Sequence, residues 1–398
     1  MPTISNKGNH LPESPIRKLV HDSDAAKAKG IEVLHLNIGQ PDIGAPEEAL
    51  AVVKKNQLTL LPYGSSEGSL SYRKALANYY SSHAIEVSAE EIIVTTGASE
   101  ALSFTLNSIC DAGDEIIIPE PFYANYNGFA AAASVNVIPV VSLFDDQFKL
   151  PALSEIEDKI TPKTRAILLC NPSNPTGYLY TKEEIVSLGK LAVKHDMFFI
   201  VDEVYREFIH YPNLTHHSVL SVPGLEEYAV MIDSVSKRYS LCGARVGAVV
   251  SRNKKLLKTI LKFAHLRLSP ATLALMASEA ALTAPAAYLE GVVDEYTKRK
   301  ETLVSALKKI KGVRVSNPTG AFYCMVELPV NNAEYFSKWL LTDFSDQNET
   351  VMLAPAEGFY STPGYGIKQV RIGFVLKEEK LLRAAEILEK ALQVYPNS

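Results

Sequence analysis

Glu91-Ile92-Ile93-Val94-Thr95-Thr96-Gly97-Ala98-Ser99 is a strand running into a glycine turn, and the residues that follow put Leu102, Leu106, Ile109 and Cys110 on one helical face. A strand, a turn and a helix of period about 3.6 make one β–α unit. Asp111-Ala112-Gly113-Asp114 stops the helix. Short, largely β-branched runs follow at 116–118, 135–141, 166–170, 198–201, 230–232 and 246–250, each bounded by turn residues. Between them lie helical stretches. Thr181-Lys182-Glu183-Glu184 has the form of a capping box, with Ile185, Leu188 and Ala192 at helical spacing behind it. Strands alternating with helices predict an α/β architecture around a largely parallel, buried sheet.

Outward from this region the pattern changes. A helical period runs from 286 to 310, then strand-like runs appear at 313–315, 322–327 and 370–374, and a helix closes the chain at 379–394. These predict a second, smaller α+β domain. The first forty-odd residues have no strong period before Val33-Leu34-His35-Leu36, and read as an arm plus a short strand. The expected division is 1–46 for the arm and part of the small domain, 47–290 for the large domain and 291–398 for the small one.

The chain has 398 residues, 47% hydrophobic and 21% charged, enough to bury a large core without covalent staples. A net charge of -5 gives no support for a nucleic-acid surface. The first residues lack the apolar core of a signal peptide, and no apolar run approaches the ~18 residues of a membrane span. Cys110, Cys170, Cys242 and Cys324 are far apart and make no zinc spacing, so no metal is expected. They fit free thiols in a reducing compartment, which predicts the cytoplasm.

Four clusters near predicted strand ends carry chemistry. Asn171-Pro172-Ser173-Asn174-Pro175-Thr176-Gly177 follows a strand directly, where open α/β sheets gather ligands. Asn174 can offer its amide to a ligand there, or both asparagines can simply cap their own turn. Asp202-Glu203-Val204-Tyr205 ends the run 198–201. A carboxylate so close to the sheet needs a partner, either a cationic ligand atom or a local guanidinium such as Arg206. In Ser234-Val235-Ser236-Lys237 and the following stretch to Arg245, hydroxyls and a guanidinium make a phosphate cradle beside a lysine able to form a Schiff base. The alternative is a surface lysine in a polar loop. Thr95-Thr96-Gly97-Ala98-Ser99 opens a helix whose N–H groups suit an anion, as many β–α turns do. Together the clusters supply what pyridoxal phosphate requires.

These residues resemble the class I/II aminotransferase family, the fold-type-I pyridoxal-phosphate enzymes, in an aspartate-aminotransferase-like pattern. The similarity also takes in Asn37-Ile38-Gly39-Gln40-Pro41-Asp42, Tyr63-Gly64 and Val370-Arg371-Ile372-Gly373, and so spans nearly the whole chain. It implies a large domain with a mostly parallel seven-stranded sheet. It implies that Lys237 holds the cofactor covalently and later shuttles the α-proton. Asp202 would pair with the pyridine nitrogen, and Asn174 and Tyr205 would bond the ring hydroxyl. Tyr123 would stack on the ring, where family members often carry Trp. Ser234, Ser236, Arg245 and the amides of Ala98 and Ser99 would hold the phosphate. Tyr63 would reach the phosphate of a partner subunit, which implies a homodimer. Arg371 would grip the substrate α-carboxylate, with the Gly39 backbone closing on it; the alternative for Arg371 is a surface strand position.

The implied reaction moves an amino group from an L-amino acid to a 2-oxo acid such as 2-oxoglutarate. Aspartate is the default donor, with alanine and aromatic amino acids open. Arg17 is the candidate cation for a distal carboxylate, the alternative being a simply exposed side chain, and Phe359, Tyr360 and Tyr365 are candidates for an aromatic wall instead, the alternative being core packing. A carbon–sulfur lyase on the same cofactor is the rival chemistry, disfavoured by Thr176. A DNA-binding regulator built on this fold is disfavoured because the motif at 37–42 comes early.

Overall fold

The computed structural model describes residues 2–55 and 57–396. Its central sheet is built from the runs singled out above: β2 (Ile92–Thr95), β3 (Glu115–Glu120), β4 (Asn136–Val141), β5 (Thr164–Cys170), β6 (Phe198–Asp202), β7 (Ala229–Ser234) and β8 (Gly247–Val250), with β1 (Glu32–His35) lying elsewhere. The order is β2-β8-β7-β6-β5-β3-β4. Only β8 is antiparallel, and it is so to both neighbours. β2 therefore runs in the direction of β7, and the carboxyl ends of β2, β5, β6 and β7 share one edge. β6 is buried over four of its five residues and β7 over all six, because helices cover both faces. This burial is why these strands read as unbroken apolar runs instead of alternating ones.

Helix Gly97–Ile109 packs across β8 and β7 and buries Ala101, Leu102, Thr105 and Leu106. Cys110, expected on its face, is the residue that ends it. Helix Lys182–Lys194 starts with the expected capping box: the Thr181 hydroxyl accepts from the Glu184 N–H at 3.2 Å, and the Glu184 carboxylate accepts from the Thr181 N–H at 2.7 Å. Ile185, Leu188 and Ala192 form its buried face.

The C-terminal part holds β9 (Arg314–Val315), β10 (Tyr323–Glu327), β11 (Glu349–Met352), β12 (Ala354–Pro355) and β13 (Gln369–Gly373). β12-β13-β10-β9 form an antiparallel sheet, covered by helices Ala286–Leu307, Ala333–Thr342 and Glu378–Val394. β11 instead pairs in parallel with β1, Leu34 opposite Val351, and so ties the arm to this part. The arm itself departs from expectation, because it contains helices Asn6–His10 and Val20–Ala28. The second of these buries only Ser23 and Ala26, small side chains that leave no apolar period to read. No helix among the described residues is long and apolar enough to cross a membrane.

Candidate active site

A cavity of about 770 Å³ opens at the shared carboxyl edge of β2, β5, β6 and β7. Among its lining are Gly39, Ala98, Ser99, Tyr123, Asn174, Asp202, Tyr205, Ser234, Ser236, Lys237, Arg245 and Arg371. The candidates scattered over more than three hundred positions therefore meet in one place.

Asp202 is the last residue of β6 and is 4% exposed. Its carboxylate accepts from the Tyr126 hydroxyl at 2.9 Å and from the Val204 N–H at 3.3 Å. Burial pushes this carboxyl up to about 6, against the pull of those two donors. Arg206 is not its partner. That guanidinium donates to Glu203 at 3.3 Å and lies 3.8 Å from Asp233. Asp202 thus keeps a buried negative charge that a ligand cation can meet.

Lys237 sits in the short helix Val235–Arg238 after β7. Its Nζ donates to the Gly39 carbonyl at 2.8 Å and is 3.9 Å from the Cys242 sulfur. Burial lowers its pKa, Arg371 and Arg245 lower it further, and Cys242 and Asp202 oppose them. The surface-lysine alternative is excluded by this setting. A Cβ at residue 39 would meet the Tyr323 hydroxyl at 1.6 Å, so only glycine lets this carbonyl come so close.

The two asparagines of the turn after β5 divide the two roles left open for them. Asn171 serves the turn, its Oδ1 accepting from the Tyr180 N–H at 3.1 Å. Asn174 faces the cavity, and its Oδ1 accepts from Arg371 Nη1 at 2.9 Å. Arg371 lies on β13 yet is 1% exposed, so it is no surface residue. Its Nη2 donates to the Asn37 carbonyl, and its Nε is buried with no hydrogen-bond partner among the described residues. The guanidinium is stacked 4.4 Å from the Tyr323 ring centroid and 5.1 Å from that of Phe359.

At the other end of the cavity, Ser234 Oγ donates to Val246 O at 3.0 Å, lies 2.7 Å from Ser236 Oγ and accepts from the Ser236 N–H. Arg245 has left-handed backbone (φ 56°), and its guanidinium leans on Gly97. A Cβ at residue 97 would meet Arg245 Nη2 at 2.4 Å. Glycine here brings the cation against the N-terminus of helix Gly97–Ile109, and two sources of positive potential converge. The donor set fits a phosphate.

Tyr63 does not join its own chain's cavity and is 80% exposed. The aromatic wall is not formed either. Phe359 is buried behind Arg371, Tyr360 donates to Gln369 at 2.9 Å, and Tyr365 stacks on Tyr360, all outside the cavity lining. Arg17 does line the cavity. Its stretch is pinned by the Asn37 side chain donating to the Ile16 carbonyl at 2.9 Å and by buried Pro15 against Gly358.

Three further contributors carry no functional signal in the sequence pattern. Tyr323 bonds the Tyr205 hydroxyl at 2.8 Å, Tyr126 bonds Asp202, and Asn37 holds Arg371. Tyr323 lay in an expected strand, whose alternation gives a face but no partner. Nothing in the spacing aims Tyr126 at a residue 76 positions away.

The chain belongs to the aminotransferase class I and II family, whose model matches residues 31–388. It is an aminotransferase. An aspartate aminotransferase from Musicola paradisiaca is 30% identical over 94% of this chain and 92% of that protein. Among solved structures, an aspartate aminotransferase from Thermotoga maritima superposes with a TM-score of 0.89 at 28% identity, over 98% of this chain and all of that one. An alanine aminotransferase from Pyrococcus furiosus does so with 0.88 at 28% identity, with the same coverage.

Proposed function

We propose that this enzyme uses pyridoxal phosphate to move the amino group of an L-amino acid, with aspartate the default donor, to a 2-oxo acid such as 2-oxoglutarate. The observation that carries the reading is the single cavity shared by Lys237, Asp202 and Arg371. Lys237 would hold the cofactor covalently, Asp202 would face its ring nitrogen, and Tyr205 and Asn174 its ring hydroxyl. Tyr123 would cover the ring, and Ser234, Ser236, Arg245 and the amides of Ala98 and Ser99 would bind its phosphate. Bound there, pyridoxal phosphate supplies an aldehyde for the amine and a ring that withdraws electrons from the α-carbon.

The chain's own residues do the rest. A buried carboxylate with two donors and no salt bridge among the described residues favours a positive charge beside it, so Asp202 keeps a ring nitrogen protonated. The lowered pKa of Lys237 leaves more of its amine unprotonated near neutrality, as a base that must take the α-proton requires. Arg371 lines the cavity and would meet the α-carboxylate there, its guanidinium held in orientation by Asn174, Asn37 and the Tyr323 ring.

Charge supports a dicarboxylic substrate. The titratable groups lining the cavity include the cations Arg17, Lys237, Arg245 and Arg371 and the single carboxylate Asp202. Arg245 answers the phosphate and Arg371 the α-carboxylate, which leaves Arg17 for a second carboxylate. The alanine-named relative favours a small neutral donor instead. Single half-reactions followed by the cofactor's spectral change decide: aspartate or glutamate must convert it faster than alanine or phenylalanine. Ammonia and pyruvate released from a thioether substrate without an oxo acid would reject transamination.

A homodimer completes this reading. Leu60, Leu61, Tyr63, Leu266 and Leu268 are each at least half exposed. Their two stretches are joined by Arg267 donating to the Ser66 carbonyl at 2.7 Å. An apolar patch of this kind suits a second copy, which would present its Tyr63 to this chain's phosphate site.

A further inference from the structure

Lys237 lines the cavity, whereas its neighbour Arg238 is wholly buried in a separate set of charges. Arg238 Nη2 donates to both carboxylate oxygens of Asp233 at 2.7 Å, and Nε donates to Glu207 at 2.8 Å. Its guanidinium lies 4.2 Å from the Tyr79 ring centroid. Tyr80 donates to Asp233 at 2.7 Å, and the Tyr79 hydroxyl bonds Glu207. Arg206 and Glu203 extend the cluster on the far side.

Burial alone does not call for these charges. Hydrophobic side chains of similar volume can fill such a site at equal or better stability, so a buried ionic cluster is weak evidence for a stabilising role. A guanidinium does offer a rigid fork that fixes the planes of its partners. Both carboxylates lie within two residues of one that lines the cavity. Asp233 immediately precedes Ser234, Arg238 follows Lys237, and Glu207 ends the stretch holding Asp202 and Tyr205. One side chain thus ties segment 233–238 to segment 202–207.

We propose that Arg238 is a positioning residue, fixing the placement of Lys237 relative to Asp202 and Tyr205 by clamping Asp233 and Glu207. The proposal rests on reading Lys237 as the cofactor lysine. The side chains that act most on Lys237, namely Cys242, Arg371, Arg245 and Asp202, are not the ones the clamp variants replace. A change in how the lysine–cofactor linkage titrates therefore reports geometry.

The test uses Arg238→Lys and Glu207→Gln in the full chain loaded with pyridoxal phosphate. A lysine keeps the charge but cannot span both carboxylates and stack on Tyr79. Glu207→Gln leaves the Arg238–Asp233 pair intact and weakens only the tie to segment 202–207. Circular dichroism checks folding, the pH titration of the linkage's absorption band reads placement, and kcat reads consequence. In both variants the midpoint is expected to move by about half a pH unit or more, and kcat to fall about tenfold or more. Folded variants whose midpoint stays within about 0.2 unit and whose kcat stays within about twofold overturn the proposal. Should Arg238→Lys fail to fold, Glu207→Gln decides by the same criteria. A wild-type chain with no lysine-linked band overturns the cofactor reading and this proposal with it. A normal wild-type band beside unmoved variants overturns this proposal alone.

Discussion

Arg371→Lys separates substrate binding from the rest of the site. Lysine keeps one positive charge on β13 but loses the planar fork, the bond to Asn174 Oδ1 and the stack between Tyr323 and Phe359. A carboxylate gripped by two parallel charged bonds retains one. A hydrogen bond to a charged group contributes about 1.5–3 kcal/mol, so kcat/KM for every amino donor is expected to fall roughly 10- to 150-fold. Stopped-flow half-reactions over a range of donor concentrations measure this directly. The absorption band of the resting enzyme and its cofactor affinity are expected to stay put, because Asp202, Lys237 and the phosphate cradle are untouched. A loss below about threefold, or a loss confined to thermal stability, would refute the assignment of the α-carboxylate to Arg371.

Other outcomes follow from the same geometry. Arg17→Ala is expected to lower kcat/KM about tenfold or more for aspartate and glutamate while sparing alanine; equal losses for all donors would remove Arg17 from specificity. Burial holds the Asp202 carboxyl at about 6, above its usual 3.8, so it favours the folded chain only at low pH and stability falls as pH rises from about 4 to 6. At roughly 1.4 kcal/mol per pKa unit, the ionised group costs on the order of 3 kcal/mol above that window. Asp202→Asn should therefore raise the Tm of the cofactor-free chain near pH ~7.5, leave it unchanged near pH ~4, and weaken cofactor binding. A lower Tm at the higher pH would contradict this. Gly97→Ala puts a Cβ against the Arg245 guanidinium at a residue with φ of +75°, and fluorescence titration should show pyridoxal-phosphate affinity about tenfold weaker or worse.

Sequence pattern located the sheet because its inner strands are buried on both faces and written as plain apolar runs. It singled out Lys237, Asp202 and Asn174 because each lies at or just beyond the carboxyl end of a strand, where residue type alone suggests chemistry. It did not give the partners. Whether Asp202 pairs with Arg206, and whether Asn174 caps its own turn, depends on which side of the backbone each side chain leaves, which only the folded chain determines. Tyr126 and Tyr323 were invisible as site residues for the same reason: they reach the site across the fold from a helix and a strand that look ordinary. Helix Val20–Ala28 escaped notice because it buries serine and alanine. The Arg238 contacts came from neither motif nor period, since Asp233, Glu207 and Tyr79 belong to three different segments.

Borohydride reduction of the enzyme incubated with pyridoxal phosphate, followed by peptide mass mapping, bears most directly on the role of Lys237. A stable adduct on that side chain, absent from Lys237→Ala, is the expected result. An adduct on another lysine, or none at any, would contradict it.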